Sequence, residues 1–161
     1  MPFTESSTPS ILIREASLND VPELARLRWD FCGGSLTRHD LQKFTAGFHA
    51  FITERLQDPG WTIIVGEGGE NLVGMIYLQK IIRLPRPDGK VKSFAYVSNL
   101  HVDRHFRGHG LRRGLVEQAM EWAREQRVSA LLVGAGEQNP QVYERLGFRR
   151  LGQHLQLGLR S

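Results

Sequence analysis

The stretch Leu100-His101-Val102-Asp103-Arg104-His105-Phe106-Arg107-Gly108-His109-Gly110-Leu111-Arg112-Arg113-Gly114 constrains this chain more than any other. An apolar strand ends near Val102 and a glycine-bearing turn follows. Leu111, Leu115, Ala119 and Trp122 then fall on one stripe of a helix expected from about Gly108 to Arg127. Ala130-Leu131-Leu132-Val133 comes so soon afterwards that it reads as a returning crossover strand. Closely spaced glycines remove side chains and let backbone N–H groups converge, and a helix N-terminus adds unpaired donors and a positive dipole end. Such a turn is a site for phosphate oxygens. Arg104, Arg107, Arg112 and Arg113 bring side-chain charge to it, with Asp103 as the only opposing group.

The rest of the chain reads as one α/β domain from residue 11 to 161, behind a Ser/Thr/Pro-rich tail at 1–10. Ile11–Glu15 is a short strand. Asn19 or Asp20 is placed to cap a helix with Pro22 in its first turn and Val21, Leu24, Leu27 and Phe31 near helical spacing, broken by Gly33-Gly34. A second helix, about Thr37 to Gln57, carries Leu41, Phe44, Phe48, Ile52 and Leu56 at steps of three and four. The period then shortens: 61–65 and 72–78 read as strands joined at Gly68-Gly69, and a fourth strand spans about Phe94 to Val102 after the Asp88-Gly89 reversal. A short helix near 140–146 stops at Gly147, and Phe148 to Leu159 is expected to supply one or two last strands. Three hairpin-compatible strands followed by one crossover imply a mixed sheet, with ligands favoured beyond Val102 and Val133.

Composition narrows the function classes. Lys and Arg number 21 against 17 Asp and Glu, a net charge of +4, so where the charge sits matters more than its size. No apolar run approaches the roughly 20 residues of a membrane helix, and the start lacks a secretory pattern, so a cytoplasmic location is expected. A single cysteine, Cys32, excludes an internal disulfide framework and is expected to be a buried thiol. His101, His105 and His109 are spaced by four but straddle strand, loop and helix, so no metal site is expected. Lys80, Arg83, Arg86, Lys90 and Lys92 surround a hairpin with Asp88 at its tip and no interleaved aromatics, which reads as a solvated turn and not as a nucleic-acid surface.

Three known phosphate-binding patterns compete for the glycine turn. The dinucleotide fingerprint fits Gly108 and Gly110, but Arg113 occupies the third glycine position and the fifth strand ends at Gly134 without an acid. A nicotinamide oxidoreductase is therefore disfavoured. The P-loop needs Gly-Lys-Ser or Gly-Lys-Thr, which the chain lacks. The third pattern, R/Q-x-x-G-x-G/A, is that of the acyl-CoA pyrophosphate loop.

On these residues the chain resembles the GCN5-related N-acetyltransferases, the GNAT family. Val102 to Leu111 looks like their motif A. Asn139-Pro140-Gln141-Val142-Tyr143-Glu144-Arg145-Leu146-Gly147-Phe148 looks like motif B, and the element order matches from about Ile11 to Leu157. Arg112 departs from the pattern, standing where the family has Gly or Ala, and motif B is compact. The resemblance implies a mixed, mostly antiparallel twisted sheet with helices on both faces and the fourth and fifth strands parallel and splayed. It implies acetyl-CoA as donor, with backbone groups of Leu100 and Val102 (flanking His101) pairing with pantetheine. Backbone N–H groups of Arg107, Gly108, His109, Gly110, Leu111, Arg112 and Arg113 hold the pyrophosphate, Asn139 contacts pantetheine, and Tyr143 protonates the departing thiolate. It also makes a homodimer a common arrangement.

The chemistry gives those roles their reason. An amine attacks a thioester carbonyl, so a backbone N–H near Leu100 is placed to stabilise the oxyanion. The amine must first lose a proton. Tyr96 and Ser98 lie where some relatives place a base or water chain, and neither is a carboxylate, which favours a water-mediated base. The expectation is acetyl transfer to a small-molecule amine, less readily a protein amine, by direct attack in a ternary complex. The competing class is a non-catalytic acyl-CoA-binding module. Tyr143 also reads as a packing residue with a bonded hydroxyl, and Trp29, Phe31, Phe44 and Phe48 as core with some lining the acceptor cavity.

Overall fold

The computed structural model describes residues 10–34, 38–90, 92–134, 140–152 and 157–158. Five strands form one sheet in the order β1-β2-β3-β4-β5: β1 Ile11–Glu15, β2 Trp61–Gly68, β3 Asn71–Ile82, β4 Ser93–Val102 and β5 Leu131–Val133. The first three pairings are antiparallel and β4 with β5 is parallel. The helices are α1 Val21–Phe31, α2 Arg38–Leu56, α3 Leu111–Glu125 and α4 Pro140–Arg145. The mixed sheet and its single crossover follow the sequence expectation.

Alternation along the strands divides the core in two. On one face Val21, Leu24 and Leu27 of α1 and Ile52 of α2 pack on Ile63, Val65, Met75 and Tyr77. On the other, Leu111, Leu115, Val116, Ala119 and Trp122 of α3 pack with Tyr143 of α4 on Ile64, Ile76, Val97, Leu100 and Val102. The helices thus cover both faces. The start of α3 presses close to the sheet: a Cβ at Gly66 would lie 2.9 Å from Leu111 Cδ1. That close approach fixes where the turn before α3 sits.

Several expectations are corrected. The second and third strands run on to Gly68 and from Asn71 to Ile82, because hairpin pairing carries both past their apolar cores. The third helix starts at Leu111, after two positive-φ glycines that exclude helical geometry at Gly108 and Gly110. Residues 148–152 and 157–158 form no strand, and the remainder of the expected final strands lies outside the described residues. Asp20 occupies the N-cap position of α1 without capping it through its side chain. The carboxylate instead accepts two bonds from Arg14, at 2.8 and 2.9 Å, and one from the Ser17 N–H at 2.7 Å. Cys32 closes α1 and is exposed, since the Gly33-Gly34 turn carries the chain away from the core there.

Candidate active site

The end of β4 and the start of α3 build a donor-rich turn. The N–H of Asp103 bonds back to Val73 O at 2.8 Å, and Asp103 Oδ1 accepts from the N–H of His105 at 3.0 Å. Gly108 and Gly110 then hold φ of +83° and +77°, the left-handed region that other residues enter only under strain. The first helical backbone bond runs from Gly114 N to Gly110 O at 2.9 Å. The N–H groups of Leu111 and Arg113, in the first turn, therefore precede the helix ladder at its positive end.

The side chains here are less uniform than their sequence suggests. Arg107 Nε donates to Val102 O at 3.1 Å and buttresses the turn. Arg104 faces His105, and Arg113 pairs with Glu117 at 2.8 Å, one helical turn on. Asp103 is thus not the only opposing group: α3 brings Glu117 alongside Arg113, and Asp103 itself caps the backbone. Arg112 is half-buried.

Beside this turn, the β4 edge is open among the described residues. Its pairing with β5 covers only Ala95, Tyr96 and Val97, against Leu131, Leu132 and Val133. From Ser98 to Val102 no described strand lies on that side. A bulge sits at the same level: Met75 opposes His101 but Tyr77 opposes Ser98, so Asn99 and Leu100 together face Ile76. Asn99 takes φ +54°, a conformation asparagine tolerates better than most residues. The bulge directs the Leu100 and Val102 side chains into the α3 core, 2% and 0% exposed.

The α1-facing side of β4 collects polar and aromatic groups. Asn99 Nδ2 donates to Ser98 Oγ at 3.0 Å, and Arg28 Nη1 of α1 donates to Asn99 Oδ1 at 2.5 Å. The Arg28 guanidinium lies over Phe31, whose ring meets His101 edge-on at 5.8 Å. Burial pushes the His101 imidazole below its usual range and Arg107 adds to that, against the pull of Asp30 and Asp103. Burial also raises the Tyr77 phenol well above its ordinary value. Trp29, Phe44 and Phe48 stack along the α1–α2 contact at 5.4–5.5 Å. Tyr96 is 40% exposed and lies over Gly134, where any Cβ would strike its hydroxyl.

Tyr143 is on the opposite face, 3% exposed, with its ring 5.2 Å from Phe148. It lines a cleft of about 660 Å³ between β5, α4 and residues 147–151. The structure therefore gathers Ser98, Asn99 and His101 with Arg28 on one side of the open β4 edge and sets Tyr143 on the other. Asn139 lies outside the described residues. Arg28, Tyr77 and Asn99 were not singled out in the sequence. Arg28 stands three residues before Phe31 and looks like any helix-surface charge, and nothing in the strand pattern announces the bulge. Among the described residues no group of three or more His, Cys, Asp or Glu is arranged to hold a metal, and no helix is long and apolar enough to cross a membrane.

The acetyltransferase (GNAT) family model matches residues 21–148. No curated protein matches the sequence. Among solved structures, a predicted acetyltransferase from Clostridium acetobutylicum, crystallised with acetyl-CoA, superposes with a TM-score of 0.75 at 18% identity, covering 92% of this chain and 96% of that one. An aminoglycoside N-acetyltransferase in complex with CoA gives 0.75 at 16% identity, over 97% and 99%. A ribosomal-protein-alanine N-acetyltransferase from Brucella melitensis gives 0.68 at 19%, over 93% and 100%.

Proposed function

The chain belongs to the GNAT acetyltransferase family, and from that premise we propose that it transfers the acetyl group of acetyl-CoA to the amine of a small molecule, by direct attack in a ternary complex. The observation that carries this reading is the N-terminal turn of α3, with its N–H groups at the positive end of the helix, beside the Ser98–Val102 edge of β4, which has no partner strand on that side among the described residues. The turn suits a pyrophosphate, through the N–H groups of residues 108–113 and the dipole of α3, whereas the Arg107 N–H, expected to join them, donates to Arg104 O at 3.4 Å and closes the turn before Gly108. The open edge suits an extended amide-bearing arm, which needs strand-like partners at Leu100 and Val102.

In the reaction the amine nitrogen forms a bond to the thioester carbonyl carbon, the C–S bond breaks, the amine loses a proton and the thiolate gains one. The Leu100 N–H, turned by the bulge, is assigned to the developing oxyanion. Tyr143 is assigned the proton for the thiolate, which its burial beside β5 supports. Removal of the amine proton falls to water organised by Ser98 and Tyr96, since β4 carries no carboxylate. Asn139 is assigned to the pantetheine from its place in motif B. The proposed setting is the cytoplasm, where an exposed Cys32 stays reduced.

The test is release of free thiol from acetyl-CoA on addition of an amine panel spanning polyamines, aminoglycosides, amino acids and peptides. Acetyl-CoA should also raise the melting temperature, because it binds only the folded chain. Stabilisation without thiol release from any amine would leave a binding module in place of an enzyme. No stabilisation at all would refute both.

A further inference from the structure

We infer that the acceptor amine carries an anionic oxygen group, a carboxylate or a phosphoester, received by Arg28 on the α1 side of the β4 bulge. This rests on the acetyltransferase reading above and names the class of its acceptor.

Arg28 is half-buried and held in place, with Nη1 on Asn99 Oδ1 at 2.5 Å and its guanidinium over Phe31 at 5.3 Å. Among the described residues no carboxylate pairs with it. Other half-buried arginines on this face and its rim have acidic partners: Arg14 has Asp20 and Glu67, Arg26 has Glu23 and Asp30, and Arg55 has Glu54 and Asp58. A guanidinium offers five N–H donors in a planar fork, and one amide oxygen leaves most of them unused. A charge drawn partly out of water without a counter-ion is costly, and its natural complement is a bidentate anion.

Its position gives this cation a function. Asn99, the residue that fixes it, is the left-handed member of the bulge where β4 leaves β5. Leu100, assigned to the oxyanion, is the next residue. Arg28 is thus tied, through the Asn99 side chain, to the residue next to the one assigned to the acyl group.

Tyr77 points the same way. It opposes Ser98 across the β3–β4 ladder and is 4% exposed, and its hydroxyl has no hydrogen-bond partner among the described residues. The positive charge of Arg28 acts on it. Buried hydroxyls are almost always bonded. Among the described residues, a phenol without an acceptor and a guanidinium without a counter-ion thus share the α1-facing side of β3 and β4, and an anionic oxygen at Arg28 supplies the charge this side lacks.

The electrostatics are consistent with the chemistry. A guanidinium beside the acyl group, with no carboxylate paired to it among the described residues, repels an acceptor whose only charge is an ammonium. It also favours the neutral, nucleophilic form of that amine. An anionic group on the same molecule supplies the attraction while the nitrogen still feels the deprotonating field. Polycationic amines are the acceptors this site rejects.

The experiment is binding calorimetry on CoA-saturated protein, where no transfer occurs, using matched pairs: free amino acids against their amides, and phosphoethanolamine against ethanolamine. The expected result is at least tenfold tighter binding of an anionic member than of its neutral partner. The two pair types show whether carboxylate or phosphoester is the preferred source. Arg28→Gln should shrink that preference to about twofold or less, with Arg28→Lys intermediate and the acetyl-CoA thermal shift retained in both. Tyr77→Phe should weaken the anionic member alone. Equal binding of both members, binding of neither, or an equal loss on both in Arg28→Gln overturns the inference. The wild-type comparison decides it even without a foldable variant. Thiol release with the same amines, run in parallel, reports separately on the transferase reading.

Discussion

Replacing Gly110 with valine separates the phosphate turn from the fold that carries it. Gly110 has φ +77°, and a Cβ added there meets nothing within 4 Å. The cost is therefore backbone strain without a clash, about 1–2 kcal/mol for an L-residue in the left-handed region, with a β-branched side chain at the upper end. In a domain of this size each kcal/mol lowers the melting temperature by about 2–4 °C, so Gly110→Val should melt about 4–8 °C below wild type and remain folded. On the proposed reading, the open space around that Cβ is also where phosphate oxygens would approach the N–H groups. A hundredfold loss of acetyl-CoA affinity, about 2.7 kcal/mol, is expected. At a ligand concentration of a hundred times Kd, wild type gains about 2.7 kcal/mol, a rise of about 5–11 °C. At that same concentration the variant sits at its own Kd and gains RT ln 2, about 0.4 kcal/mol, or about 1–2 °C. Thermal denaturation with and without acetyl-CoA, with circular dichroism to establish folding, measures both quantities. A folded variant that keeps the full ligand-induced shift would place the pyrophosphate elsewhere.

Two further outcomes follow from the same geometry. Tyr143→Phe should lower kcat about 100-fold, the lower end of general-acid contributions, while acetyl-CoA affinity by calorimetry stays within about twofold; normal turnover in a regime where chemistry limits the rate would remove Tyr143 from the mechanism. The Asp20 carboxyl is held below its usual range chiefly by the hydrogen bond from Arg14, so its stabilisation is complete above the unfolded value of about 3.9 and is lost as pH falls through the folded one. Asp20→Asn should flatten that acid limb in denaturant titrations between about pH 5 and pH 2, and a variant profile parallel to wild type would contradict the assignment.

The parts of the fold legible in the sequence are those set by local pattern. Leu111, Leu115, Ala119 and Trp122 announce α3, and the glycines at 108 and 110 mark the turn before it, because period and backbone freedom are written residue by residue. The crossover from α3 to β5 follows from chain length and handedness. Less visible is which of several available roles a side chain takes once its neighbours are folded around it. Asp20 looks like a cap and serves Arg14. Cys32 looks like a core thiol and is exposed. Arg113 looks like part of the phosphate turn and is held by Glu117.

By itself, then, the order of residues determined the first five strands, their one parallel pair and the donor turn at Gly108–Leu111, since each depends on short-range periodicity, steric freedom and the handedness of a crossover. Only the tertiary structure decided where the open edge of β4 falls. β5 stops pairing at Val133, and the bulge at Asn99 shifts the register by one residue. It also decided that Arg28, 71 residues from Asn99 along the chain, docks on that bulge. Side-chain pairing across such separations is set by how helices settle on a twisted sheet, and no local pattern encodes it. The acceptor side of the site belongs to that second category, which is why motifs name the donor and leave the acceptor to geometry.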